Sequence, residues 1–216
     1  TMSAKDVGRI IVNDEDLPIG IFTEKDLLKG VVNAGINTRK TAIRSVMTTP
    51  ARAVREETHI IEAFGKMYRG KYRHLLVRGR RGKIIGIVSM RRILNIAVEL
   101  GQGLNETRTL GDIAAGSIEL VDDNTDVHQT VDVMNKKNVN AVVVTRSGKP
   151  VGIFTERDVL KRVATKGLPL KETPMQQVMT AAIITMPKTA LVGDVLAEMY
   201  RRDIRNMPVR AENGEL

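Results

Sequence analysis

The chain has 216 residues, 42% of them hydrophobic and 27% charged, enough for one large or two ordinary domains with real cores. It shows no uninterrupted apolar run of 18 residues and no apolar signal-peptide core at its start, so it reads as a cytosolic globular chain without a membrane span. Zero cysteines exclude disulfides, thiolate metal sites and thiol catalysis; a net charge of +9 favours anionic partners, and three Phe, three Tyr and no Trp argue against single-strand binding by base stacking.

Repeats decide the organisation. The phrase "GIFTEKDLLKGVVNAG" begins at Gly20, and a near copy, "GIFTERDVLKRVATKG", begins at Gly152. Aligning residues 1–84 with 133–216 without a gap gives 26 identities, among them "VMT" at Val46 and Val178 and "MYR" at Met67 and Met199. This is a duplication. An altered version, "GIVSMRRILNIAVELG", begins at Gly86, so Gly20, Gly86 and Gly152 stand 66 residues apart.

By phase, residues 1–36 are the second half of a first repeat, 44–100 a second repeat, 109–167 a third, and 174–216 the first half of a fourth. The next glycine would fall at position 218. The phase thus predicts a fragment of a four-repeat protein, or two half-repeats that complete each other within or between chains.

The third repeat shows what is repeated. "VDDNTDVHQTVDVMNKKN" places Val127, Val131 and Met134 at helical spacing after Thr125 as cap. "VNAVVVT" from Val139 is a β-branched strand, "RSGK" a turn and "PVGIFT" a second strand. Thr155 then opens a helix with Val159, Leu160 and Val163 on one face and Gly167 as its stop. "GLPLKETP" from Gly167 reads as a linker into the fourth repeat.

The chemistry concentrates at the strand-to-helix turn. Gly152 allows close approach over the strand, and Thr155 with Asp158 three residues on forms a capping-box start. The same geometry suits a ligand: a helix start presents amides and partial positive charge to phosphate, and a carboxylate can accept two hydrogen bonds from a ribose diol.

With these features the chain resembles the cystathionine-β-synthase (CBS) domain family over essentially its whole length. The signs are "VMT" leading into the unit, an apolar pair before a Gly-containing turn, and the Gly-hydrophobic-x-Thr/Ser-x-x-Asp signature in "GIFTEKD" and "GIFTERD". The resemblance implies an α/β fold of CBS units, with short sheets packed on helices. It implies tandem pairs, first with second and third with fourth, with clefts between paired sheets and helix contacts between pairs that give a flat disc.

It also implies that the signature Thr and Asp hold the ribose and phosphates of an adenine nucleotide. Carried over residue by residue, the ligand contacts are Thr23 with Asp26 and Thr155 with Asp158. The short run before the apolar strand is the family's second ligand-facing place. It contributes Arg73 and His74 in "KYRHLLV", Arg205 beside Asn206 in "DIRNMPV", and Asn140 and Ala141 in "NVNAVVV".

The second repeat departs from the pattern. Ser89 keeps the hydroxyl, but Arg92, preceded by Arg91, stands where the acid belongs. A cation in the first turn opposes the helix dipole by roughly 0.3 to 1 kcal/mol. These arginines are read either as a solvated surface pair or as partners for phosphates of a ligand held elsewhere.

His59, His74 and His128 have no metal-binding spacing, and no Walker loop, nucleophile elbow or carboxylate pair with a base is present. The expectation is a regulatory binding module for AMP, ADP or ATP, or for S-adenosylmethionine. It carries no catalytic cofactor, acts as a homodimer or intramolecular four-repeat disc, and serves an effector enzyme or transporter. The alternatives are a nucleic-acid binder using its basic surface and a ligand-free dimerisation module.

Overall fold

The computed structural model describes residues 2–15, 17–38, 40–101, 107–114, 118–214 and 216. In chain order the first half has β1 (Arg9–Asp14), β2 (Leu17–Thr23), α1 (Glu24–Asp26) continuing as a π-helix over Leu27–Val32, and a 3-10 turn over Ile43–Ser45. It goes on through β3 (Ala53–Arg55), α2 (Ile60–Gly70), β4 (His74–Arg78), β5 (Ile84–Ser89), α3 (Met90–Glu99) and α4 (Leu110–Ile113). The second half has β6 (Leu120–Asp122), α5 (Val127–Lys136), β7 (Ala141–Arg146), β8 (Lys149–Thr155) and α6 (Glu156–Asp158), which continues as a second π-helix over Val159–Ala164. Then come α7 (Met175–Val178), β9 (Thr180–Ala181), β10 (Met186–Pro187), α8 (Val192–Arg201) and β11 (Val209–Arg210).

The duplication is visible in the register. Hairpins β1–β2, β4–β5 and β7–β8 set the signature glycine opposite a valine, as Val12 with Gly20, Val77 with Gly86 and Val144 with Gly152. Each hairpin has an irregularity directly after that valine. In the third repeat Ser147 and Gly148 both take positive φ, 51° and 75°, as a two-residue turn matched to strand twist requires.

The helices follow the sequence pattern in most respects. On α5, Val127, Val131 and Met134 are buried, one stripe of an amphipathic helix. The cap is Asp126 and not Thr125: its carboxylate accepts from the Gln129 amide at 2.8 Å. The second helix of repeats 1 and 3 is not a plain α-helix. Amide bonds there reach five residues back, from Asn33 to Leu28 and from Thr165 to Leu160, both 3.0 Å, which is π winding. The Thr165 hydroxyl adds a bond to the same Leu160 carbonyl at 2.7 Å. Repeat 2, which lacks the acid, winds an ordinary α-helix, α3.

The chain forms two compact units. The first, Thr1–Thr49 with Gly116–Ile184, joins repeat 1 to repeat 3. Its core includes Phe22, Leu28, Val131, Met134, Phe154 and Val163. Within it α5 packs on the first π-helix and the two π-helices touch. The second unit, Pro50–Ala115 with Thr185–Leu216, joins repeat 2 to repeat 4 through α3 and α8. Its core is smaller, around Val54, Ala63, Met67, Leu75 and Ile93. Repeats 1 and 3, and repeats 2 and 4, therefore meet through helices.

One turn recurs at these helix contacts. Asp6, Lys71, Asn138 and Asp203 occupy matching places in the four repeats, and all take positive φ, between 49° and 54°. Asp6 binds Arg157 at 2.8 Å and Lys161 at 2.5 Å, Asn138 accepts from Lys29 at 3.0 Å, and Asp203 pairs with Arg91. In the second unit the Tyr200 hydroxyl also donates to Glu99 at 3.0 Å.

Two predictions concern this framework. A Cβ on Gly152 would lie 2.6 Å from the Met179 sulfur and 2.8 Å from the Thr180 carbonyl oxygen, whereas one on Gly86 meets nothing within 4 Å among the described residues. Gly152→Ala is expected to destabilise by about 1 to 3 kcal/mol and Gly86→Ala to stay within about 0.5 kcal/mol of wild type, measured by denaturant unfolding. The second concerns Asp6, whose carboxyl is held below its ordinary 3.8 by the Lys161 hydrogen bond first and then by Arg157. A lowered folded pKa gives stability that is complete above the unfolded value and is lost as pH falls through the folded one. Asp6→Asn is thus expected to melt below wild type at pH 7 and to converge with it as the pH drops under about 4.

Candidate functional site

The signature turns of repeats 1 and 3 are built alike. The Asp26 carboxylate takes the Thr23 amide at 2.8 Å and the Thr23 hydroxyl at 2.6 Å on Oδ2. Asp158 takes the Thr155 amide at 2.9 Å and hydroxyl at 2.7 Å on its own Oδ2. The amides of Asp26 and Asp158 return bonds to the threonine oxygens at 3.3 and 3.4 Å. These are reciprocal capping boxes.

A cap alone does not distinguish a binding site, and the chain carries its own control. Thr109 and Asp112 form the same box, at 2.7 and 2.8 Å, with no signature around it. There the Thr109 amide and then its hydroxyl hold the Asp112 carboxyl below its ordinary 3.8.

What sets the signature turns apart is a second threonine. The "VMT" segment that follows repeats 1 and 3 crosses the signature strand, with Thr48 paired to Ile21 and β9 paired to β8. From there Thr48 donates to Asp26 Oδ1 at 2.7 Å and Thr180 reaches Asp158 Oδ1 at 3.4 Å. The approach is close enough that only glycine fits beneath it: a Cβ on Gly20 would sit 2.5 Å from the Met47 sulfur and 2.9 Å from the Thr48 oxygen. The space that the signature glycine leaves is thus filled by the chain itself.

The rim residues fall beside these turns. Ala141 pairs with Thr155, and the Asn140 carbonyl accepts from the Glu156 amide at 3.1 Å. In repeat 2, His74 pairs with Ser89 and the Arg73 carbonyl accepts from Met90 at 3.0 Å. Arg9 stands opposite Thr23 in the same way and had no place in the sequence reading. Arg205 is exposed in the bend between α8 and β11.

Repeat 2 is organised differently. Ser89 is buried, and its oxygen accepts from the Arg92 amide at 3.2 Å, so it still caps. The Arg92 side chain runs along α3 to Glu99 at 3.1 Å, and Arg91 pairs with Asp203. Arg91 thus joins the helix contact with repeat 4, while Arg92 pairs within α3 with the Glu99 that also accepts from Tyr200.

Chemically, each intact turn offers a carboxylate with one oxygen filled by amide and hydroxyl and the other touched by a second hydroxyl. The threonine oxygens keep lone pairs able to accept from sugar hydroxyls, and the carboxylate keeps acceptor capacity on Oδ1. Charge is not what favours an anion here. The first unit holds 16 basic and 14 acidic residues and the second 18 and 11, so the net +9 divides as +2 and +7. The surplus lies with the unit that holds repeat 2, where Arg92 stands in place of the signature acid.

Among the described residues no group of three His, Cys, Asp or Glu could hold a metal, and no helix is long and apolar enough to cross a membrane. A groove of about 530 Å³ in the first unit is lined by Asn33, Gly35, His128, Leu170, Lys171 and Glu172 among others, and by no signature residue.

Comparison with known proteins agrees with this construction. The chain is 28% identical to "CBS domain-containing protein CBSCBSPB1" of Arabidopsis thaliana, across 100% of this chain and 46% of that protein. It is 30% identical to an uncharacterized 33.4 kDa protein in the ribosomal RNA operon of Thermofilum pendens, across 75% of this chain and 56% of that one. The chain therefore spans about half the length of these curated relatives. The crystal structure of protein MJ1225 from Methanocaldococcus jannaschii superposes with a TM-score of 0.81 at 15% identity, covering 99% of this chain and 85% of that one, which is a likeness of fold. The CBS domain family model matches residues 1–33, 43–99, 110–165 and 175–216, and the chain belongs to the CBS domain family.

Proposed function

We propose that this span is a regulatory module that binds an adenine nucleotide at the signature turns of repeats 1 and 3, with Thr23 and Asp26 at one and Thr155 and Asp158 at the other. The observation that carries the reading is the second threonine. In both intact copies, and among the described residues not at the Thr109–Asp112 cap, the crossing segment delivers an extra hydroxyl to the carboxylate that family resemblance assigns to the ribose. Both turns open helices that touch each other, so occupancy of either bears on the same pair of helices. Binding, and not catalysis, is the role assigned to this span, and an attached or separate effector reads it out.

Calorimetry with AMP, ADP, ATP and S-adenosylmethionine tests the reading. Asp158→Asn and Asp26→Asn are each expected to weaken binding at their own turn by tenfold or more, while Asp112→Asn leaves affinity unchanged. The proposal fails if none of the four ligands binds at millimolar concentration, or if the Asp26 and Asp158 variants bind as wild type does. A ligand-free dimerisation module would show no rise in melting temperature with nucleotide, whereas a site occupied at 100 times its Kd adds about 2.7 kcal/mol.

The +7 of the second unit supports one other reading, polyanion binding there. It predicts affinity that falls steeply with salt and is indifferent to Asp26 and Asp158.

A further inference from the structure

The two intact signature turns are not electrically alike. Through the first two helical turns the sequences are "TEKDLLKG" from Thr23 and "TERDVLKR" from Thr155, and every charge matches in sign except at the last position, Gly30 against Arg162. Arg162 lies one turn beyond Asp158, with Nε 3.1 Å from Asp158 Oδ1. Its Nη1 donates to the Val178 carbonyl at 3.2 Å and to the Met179 carbonyl. The guanidinium is thereby fixed between the signature acid and the "VMT" strand.

In repeat 1 the described partners of the Asp26 carboxylate are the Thr23 amide and the hydroxyls of Thr23 and Thr48, all neutral. The other cations of the repeat 3 turn, Arg157 and Lys161, are drawn to Asp6, which leaves Arg162 as the cation on Asp158.

We propose that position 30/162 sets the charge of the ligand each turn accepts, an inference that rests on the nucleotide reading above. The Asp158 turn, its carboxylate neutralised in contact, takes a phosphorylated nucleoside. The Asp26 turn, whose carboxylate has no cation in contact among the described residues, takes a neutral or cationic nucleoside and disfavours phosphate. A carboxylate and a phosphate charge about 8 Å apart at an effective dielectric near 20, partly screened by salt, differ from a neutral pair by roughly tenfold in affinity.

The structure provides for the exchange. A Cβ on Gly30 would meet the Val46 carbonyl oxygen at 3.7 Å, an ordinary contact, and Val46 and Met47 are the counterparts of Val178 and Met179, whose carbonyls accept from Arg162. An arginine at position 30 has the same seat waiting.

The test is calorimetry of the full chain with AMP and adenosine in two backgrounds, Asp26→Ala to isolate the repeat 3 turn and Asp158→Ala to isolate that of repeat 1. The ratio of AMP to adenosine affinity is expected to be about tenfold higher in the first background than in the second. Adding Arg162→Gln to the first is expected to remove that advantage and Arg162→Lys to retain most of it, an outcome that loss of packing alone would not produce. Adding Gly30→Arg to the second is expected to raise its ratio. Equal ratios in both backgrounds, unmoved by Arg162→Gln and Gly30→Arg, would overturn the charge assignment while leaving the nucleotide reading intact. Failure of wild type to bind either probe overturns both.

Discussion

The first unit depends on one close approach, that of the "VMT" backbone over the signature strand. With the Thr180 oxygen 2.8 Å from where a Cβ of Gly152 would stand, the crossing is possible only over glycine. The crossing has three results at once. It adds a strand to the sheet of repeat 3, it places a hydroxyl on the signature carboxylate, and it presents two carbonyls to the Arg162 guanidinium. Repeat 2 makes the contrast: among the described residues nothing stands over Gly86, the acid is replaced by Arg92, and the following helix winds as an ordinary α-helix. All three repeats whose second helix is present keep the glycine, and the acid and the π winding occur together in repeats 1 and 3 and are both missing from repeat 2.

That linkage reconciles two readings of the signature. Thr155 and Asp158 are helix caps by every geometric criterion, and the capping bonds occupy Oδ2 while leaving Oδ1 to a strand hydroxyl and, in repeat 3, a guanidinium. A buried carboxylate held by several donors is rigid before any ligand arrives, so little ordering remains for binding to impose. For the proposed ligand the cap is therefore part of the preorganisation and not a rival to it.

Much of this was legible in the sequence because the duplication turned weak local signals into repeated ones. The strands flanking "RSGK", the buried stripe Val127, Val131 and Met134, and the Thr–Asp boxes all follow from patterns a few residues long. The reading fell short where structure rests on non-local contact. Thr48 and Thr180 appeared as repeat markers, and their bond to an acid 22 residues earlier has no local signature. The cap of α5 moved by one residue to Asp126, since both Thr125 and Asp126 satisfy the local preference and only the register decides. The π winding has no counterpart in an apolar pattern, which Val159, Leu160 and Val163 satisfy equally as an α-helix.

A chain that carries several near copies of one unit faces a sorting problem, because surfaces that fit their proper partner nearly fit the wrong one. The left-handed turn shared by all four repeats bears on this. Its backbone shape is constant while its side chain runs Asp6, Lys71, Asn138, Asp203. Lys71 set against the Arg157 and Lys161 that receive Asp6 would bring like charges together, and such a mispairing is disfavoured without any change of shape. The turn acts as an address written in charge upon a common scaffold, and it lets duplicated repeats diverge elsewhere in sequence without losing track of which copy each must meet.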